Sequence, residues 1–313
     1  MTTSPHFTPR QLMLASLVIF LWGMNFVVIK IGLRGVPPFL MGALRFILVA
    51  FPAIFFLPRP KIPFKLILAY GLTISLGQFA FLFLAMAVGM PAGLASLVLQ
   101  AQAFFTVLLG ALIFRDKLKA QNLIGMLIAA AGIVLLSKAS LSASTTQVTL
   151  AGFALTLCAA LSWASGNIIN KKIGVTNVLS LVSWGALIPI LPFLLLSYYF
   201  EGADKISLSL QQMNWPSFLS IAYIAYAATL VGYSIWGRLL ASLPTATVAP
   251  MTLMVPVIGL SSAWLLVGEA LQFLQILGAI TIMLGLVINV FGSKLLLKAG
   301  ITKTSQLDPA SKT

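Results

Sequence analysis

The chain has 313 residues, 60% of them hydrophobic and only 8% charged. A soluble domain carries about 25% charged residues, so a soluble globular fold is excluded. Nucleic acid is not an expected partner either, because the net charge of +14 is spread over short polar connections and not gathered on a basic domain. Cys158 and His6 are the sole cysteine and histidine, so no intrachain disulfide is possible and no metal or cofactor is expected.

Charges and turn residues divide the chain into ten apolar runs, each long enough to cross a hydrocarbon core about 30 Å thick. Backbone groups in lipid must satisfy one another, so the runs are helices. After a tail of residues 1–11, span 1 (12–33) carries Trp22 and Asn25 on one face; it is too long for a signal-peptide core and lacks a cleavage pattern. Span 2 (37–57) contains Arg45, about 12 Å into the helix at 1.5 Å per residue. All five acids (Asp116, Glu201, Asp204, Glu269 and Asp308) lie outside the spans, so Arg45 has no evident partner. It caps backbone carbonyls or snorkels to the periplasmic surface, or else attracts a substrate carboxylate. Span 3 (65–88) contributes Gln78 as a further polar candidate. Span 4 (91–114) contains Gln100 and Gln102, roughly 200° apart on a regular helix, so at most one is expected to face a central cavity and the other to meet a neighbouring span.

Span 5 (120–137) is apolar, and span 6 (148–170) places Trp163, Asn167 and Asn170 on one face. Span 7 (178–200) leads into a polar loop, 201–212. Span 8 (215–240) carries Tyr223, Tyr226 and Tyr233 within one helical sector of about 80°, an inward aromatic stripe. Span 9 (245–267) contains Pro250 and Pro256, candidates for a kink or a gate. Span 10 (271–293) precedes a basic tail, 294–313. Lys and Arg number 14 on the side of the N-terminus and 4 on the other, which predicts that both termini are cytoplasmic.

The chain is written twice. A shift of 153 residues pairs Tyr70 with Tyr223, Pro91 with Pro244, Asp116 with Glu269, Gly125 with Gly278 and Gly132 with Gly285. Nearer the start, an offset of about 142 pairs Asn25 with Asn167 and Lys30 with Lys172, the difference fitting an insertion at 201–212. Five spans is an odd number, so the second copy enters the membrane from the opposite side. The predicted fold is an all-α membrane protein of ten transmembrane helices in two inverted five-helix repeats, 12–140 and 148–293, a plan common among secondary transporters with a site near mid-membrane. Asp116 and Glu269, just before spans 5 and 10, are expected to meet those helices' positive dipole ends.

The stretches "LWGMNFVVIK", "LRF", "GMPAGLASLVLQAQAFFT" and "SWASGNIINKK", with the repeat, resemble the EamA-type branch of the drug/metabolite transporter superfamily. "PAGLASLVLQAQAFF" and "WASGNIINKK" are similar to the bacterial exporters of O-acetylserine and cysteine. The resemblance implies a multi-pass bacterial inner-membrane exporter whose partners are a small amino-acid metabolite and the lipid bilayer. Its substrate would meet Trp22, Asn25, Arg45, Gln78, Gln100, Gln102, Trp163, Asn167 and the span 8 tyrosines. Export of other amino acids or small drugs is the alternative; a non-transporting membrane scaffold is the alternative of another class. An intramembrane enzyme would need a nucleophile with a base, and no acid or histidine lies inside a span. With no P-loop and no in-span carboxylate, facilitated or weakly coupled movement is expected.

Overall fold

A computed structural model describes residues 8–116, 118–141, 149–174, 176–243 and 248–298. The pairing of Pro91 with Pro244, His6 and most of the basic C-terminal tail lie outside these. Among the described residues, ten helices are long and apolar enough to cross a membrane. They are spans 1 (Pro9–Gly32), 2 (Pro38–Phe56), 3 (Phe64–Ala87), 4 (Ala92–Phe114), 5 (Ala120–Lys138), 6 (Leu150–Ile173), 7 (Val178–Glu201), 8 (Trp215–Ser242), 9 (Pro250–Val267) and 10 (Phe273–Gly292).

Helix starts leave backbone N–H groups without partners, and the sequence supplies caps for several of them. Thr8 and Gln11 form a reciprocal capping box on span 1, while Thr149, Asn177 and Asn214 cap spans 6, 7 and 8. Spans 2 and 4 begin after Pro37 and Pro91, which offer no side-chain cap. Both are capped by distant carboxylates. Glu201 accepts from the N–H groups of Phe39 (2.6 Å) and Leu40 (3.0 Å), and Glu269 accepts from those of Ala92 (2.8 Å) and Gly93 (2.9 Å).

Here the expectation for the paired acids is corrected. Glu269 serves the positive end of span 4, not of span 10, and also pairs with Lys30; Asp116 pairs with Lys171 at 2.6 Å. The chain geometry explains this. Spans 4 and 9 each end in a left-handed residue, Arg115 (φ 58°) and Gly268 (φ 69°), which turns the acid that follows away from the next helix. A second correction concerns 201–212. Within this stretch, Ala203–Gln211 is a nine-residue helix, and Ser209 Oγ donates to Gly35 O at 2.8 Å.

The main apolar core is built chiefly from spans 1–4 and 6–9, joined by Leu136 of span 5, with side chains such as Phe83, Phe193 and Met41 fully enclosed. Spans 5 and 10 stand beside it and pack chiefly on each other. A side chain at Gly125 would come within 2.6 Å of Gly285 O, and one at Gly132 within 2.9 Å of Gly278 O. As one number rises the other falls, so the two helices cross antiparallel. Asn122 Nδ2 donating to Asn289 Oδ1 at 2.7 Å continues the same register. Small residues let membrane helices approach this closely.

Among the described residues, four spans depart from regular helix, three near their middles and one at its start. Spans 3 and 8 widen into π-helical turns at Gly71–Gly77 and Tyr223–Val231. Carbonyls in these turns accept from side chains of other spans: Ser162 Oγ donates to Thr73 O and Trp22 Nε1 to Ala228 O, both at 2.9 Å. Span 9 opens with a 3-10 segment, Ala249–Leu253. Span 4 breaks at Leu99–Gln100 without proline, leaving tight bonds such as Gln102 N to Leu99 O, 3.1 Å. Pro250 and Pro256 sit at the starts of the two segments of span 9, where the proline nitrogen forfeits little.

Candidate functional site

The irregular turns surround one cavity with about 720 Å³ of non-atom space, counting its open mouth. Eight of the residues singled out from the sequence line it: Trp22, Asn25, Arg45, Gln78, Gln100, Gln102, Trp163 and Tyr233.

Arg45 is 2% exposed. Its Nη2 donates to Thr229 Oγ1 at 2.8 Å, and Thr229 Oγ1 in turn donates to Ile224 O at 2.7 Å within the wide turn of span 8. The guanidinium carbon lies 3.6 Å from the centre of the Phe79 ring and 5.3 Å from that of Phe46. Cation–π attraction supplies part of what water would have given, about 0.5–2 kcal/mol. It does not supply hydrogen bonds. Nε and Nη1 are buried and have no protein partner, and the same holds for Asn25 Oδ1 and Gln78 Oε1. Each such orphan costs about 1–3 kcal/mol, and more on a charged group. Among the described residues no acid approaches Arg45 closely enough to form an ion pair.

The glutamines depart from expectation in an instructive way. Both line the cavity, which a regular helix would forbid, because span 4 is broken between them and the preceding turn. Both are also held by another span. Gln100 Nε2 donates to Thr252 O at 3.2 Å, and Gln102 Oε1 accepts from Asn167 Nδ2 at 2.8 Å. Asn167 itself lies in a second pocket, with Thr106, Gly110, Asp116 and Lys171, so the Gln102–Asn167 bond stands between the two spaces.

The tyrosine stripe is not assembled. Tyr233 lines the cavity and meets Trp22 at a tilt of 54°, with ring centres 5.4 Å apart. Tyr223 instead donates its hydroxyl to Leu21 O at 2.9 Å, and Tyr226 is 40% exposed on the outer surface. The π-helical turn between Tyr223 and Tyr233 changes the angle per residue, so a projection at 100° each does not hold. Thr229 and Phe79 belong to the site and were not anticipated. Thr229 is the lone threonine of span 8, a signal the sequence did contain; Phe79 is one phenylalanine among 21 and carries no signal of its own.

The model of the EamA-like transporter family matches this chain twice, over residues 10–138 and 150–291. The chain belongs to that family. It is similar to two proteins named "Probable amino-acid metabolite efflux pump". The one from Salmonella typhimurium (strain LT2) is 57% identical over 89% of this chain and 94% of that one, and the one from Escherichia coli (strain K12) is 55% identical over the same shares. A transporter of Bacillus subtilis (strain 168) is 23% identical over 88% of this chain. A solved crystal structure at 17% identity superposes with a TM-score of 0.62, covering 94% of this chain and 99% of that one, which shows the shared fold. The protein is therefore a multi-pass membrane transporter of the EamA-like family.

Proposed function

We propose that this transporter exports small amino-acid metabolites of the O-acetylserine and cysteine type across the bacterial inner membrane, with both termini in the cytoplasm. The observation that carries the reading is Arg45: a buried cation in a mid-span cavity, with two N–H groups lacking any acceptor. A carboxylate suits these donors, since a guanidinium nitrogen makes a short, charge-assisted hydrogen bond to a carboxylate oxygen. The similarity to proteins named as amino-acid metabolite efflux pumps supports the same substrate class.

Transport proceeds by alternating access between two halves of opposite sense. The antiparallel contact of spans 5 and 10, in which Gly125 meets Gly285 and Gly132 meets Gly278, supports such a relation. So do the wide turns at matching places in spans 3 and 8. At one end Glu269 ties span 9 to Lys30 of span 1 and to the start of span 4. Those bonds must part for that end to open. Pro250 and Pro256 stand where span 9 would bend.

The test is efflux of labelled cysteine and O-acetylserine from vesicles of defined orientation. Arg45→Gln should lower the rate about tenfold or more, the loss of one charge-assisted contact, at unchanged abundance. Arg45→Lys should retain part of the rate, since charge remains and the fork is lost. Equal rates in wild type and Arg45→Gln would remove the carboxylate role.

A further inference from the structure

Six buried side-chain polar atoms lack a hydrogen-bond partner among the described residues. Two are the hydroxyls of Ser180 and Ser183 on span 7. The other four line one cavity and come from three successive spans: Asn25 Oδ1 from span 1, Arg45 Nε and Nη1 from span 2, and Gln78 Oε1 from span 3. Their chemistry divides evenly into two donors on a cation and two acceptors on neutral amides.

We infer that Asn25 and Gln78 form a second subsite, which accepts hydrogen bonds from the substrate's ammonium group while Arg45 holds its carboxylate. The inference rests on the carboxylate reading of Arg45 given above. An α-amino acid presents a carboxylate that only accepts and an ammonium that only donates, so each end matches the vacancies of the opposite kind. Neutral amides suit this role better than acids would. A carboxylate at position 25 or 78 would pair with Arg45 and take the place of the substrate. With no acid in the cavity, a plain amine meets an unbalanced guanidinium and is repelled. A plain carboxylic acid leaves the two amide oxygens buried and unpaired. The site thus selects a molecule that is neutral overall and charged at both ends, with Asn25 and Gln78 as specificity-determining residues. Asn25 is 9% exposed and Gln78 3%, so water competes weakly for either.

The experiment is binding of cysteine, N-acetylcysteine and cysteamine to the full chain in detergent. It is read from quenching of the cavity tryptophans and, independently, from thermal stabilisation. Cysteine keeps both charges, N-acetylcysteine keeps the carboxylate, and cysteamine keeps the ammonium. Cysteine should bind best, with each derivative weaker by about tenfold or more, as expected for loss of a charge-assisted contact. In the double variant Asn25→Leu/Gln78→Leu, cysteine should fall to the affinity of N-acetylcysteine, whose own affinity should stay within about twofold. Should that variant not fold, the wild-type comparison decides alone. N-acetylcysteine binding as tightly as cysteine overturns the ammonium subsite and leaves the carboxylate role of Arg45 standing. Cysteamine binding as tightly as cysteine overturns that role, and with it this inference. No binding of any of the three overturns both.

Discussion

Glu269 and Asp116 stand 153 positions apart, each just past a left-handed residue that ends a span. Their surroundings differ sharply. The Glu269 side chain is 7% exposed and accepts from Lys30 and from two backbone amides at the start of span 4. The Asp116 side chain is 51% exposed and, among the described residues, its carboxylate bonds Lys171 alone, whose ammonium also lies 4.4 Å from the centre of the Phe114 ring. The same kind of residue, at matching places, is thus a buried three-way tie at one end of the molecule and half of a surface pair at the other. In a transporter built from two similar halves, this teaches that the asymmetry lies in how the spans meet and not in which residues they offer.

The largest effect that could break this comparison is expected at Glu269. Glu269→Ala leaves Lys30 and two helix-start amides without their acceptor, and removal of one partner of a buried pair costs about 3–5 kcal/mol. A large fall in the thermal midpoint of the purified protein would bear this out; a change no larger than at Asp116 would dissolve the distinction. Next come Gly125→Val and Gly285→Val, which each drive a side chain into the facing backbone, at 2.6 Å from the partner's carbonyl oxygen. Overpacking of this kind typically costs about 1–3 kcal/mol. The two should lose stability about equally. Unequal losses would mean that the halves differ in construction as well as in contact. Asp116→Asn should be the mildest, at about 0–1 kcal/mol for an exposed pair, with a midpoint close to wild type.

Much of the fold could be read from the residues because grease and charge are segregated so cleanly. Polar side chains inside apolar runs, such as Arg45, Gln78 and Asn25, stood out, and they do share a cavity. What escaped the reading has two physical causes. One is long-range capping. Glu201 and Glu269 serve helices that begin 161 to 177 positions away, and no local pattern announces that. The other is irregular helix. The break at Leu99–Gln100 has no proline or glycine to mark it, and the wide turns of spans 3 and 8 look like ordinary apolar helix in the sequence. A constant 100° per residue therefore separated two glutamines that share a wall and gathered three tyrosines that do not.

The wide turn of span 8 has a consequence for the numbering of everything beyond it. A helix that closes one turn over an extra residue has absorbed an insertion without growing a loop. It acts as a phase shifter: residues before and after it keep their own regular winding but are out of step by about one residue, or 100°. Tyr233 and Trp236, whose rings both contact that of Trp22 at 5.4 and 5.3 Å between centres, are downstream of that shift. Loss of a single residue between 224 and 230 would let the backbone close into an ordinary α-turn with a span still long enough for the membrane. It would nonetheless swing both rings off Trp22 by more than a quarter turn. The aromatic side of the cavity is thus set by how many residues precede it as much as by which ones they are.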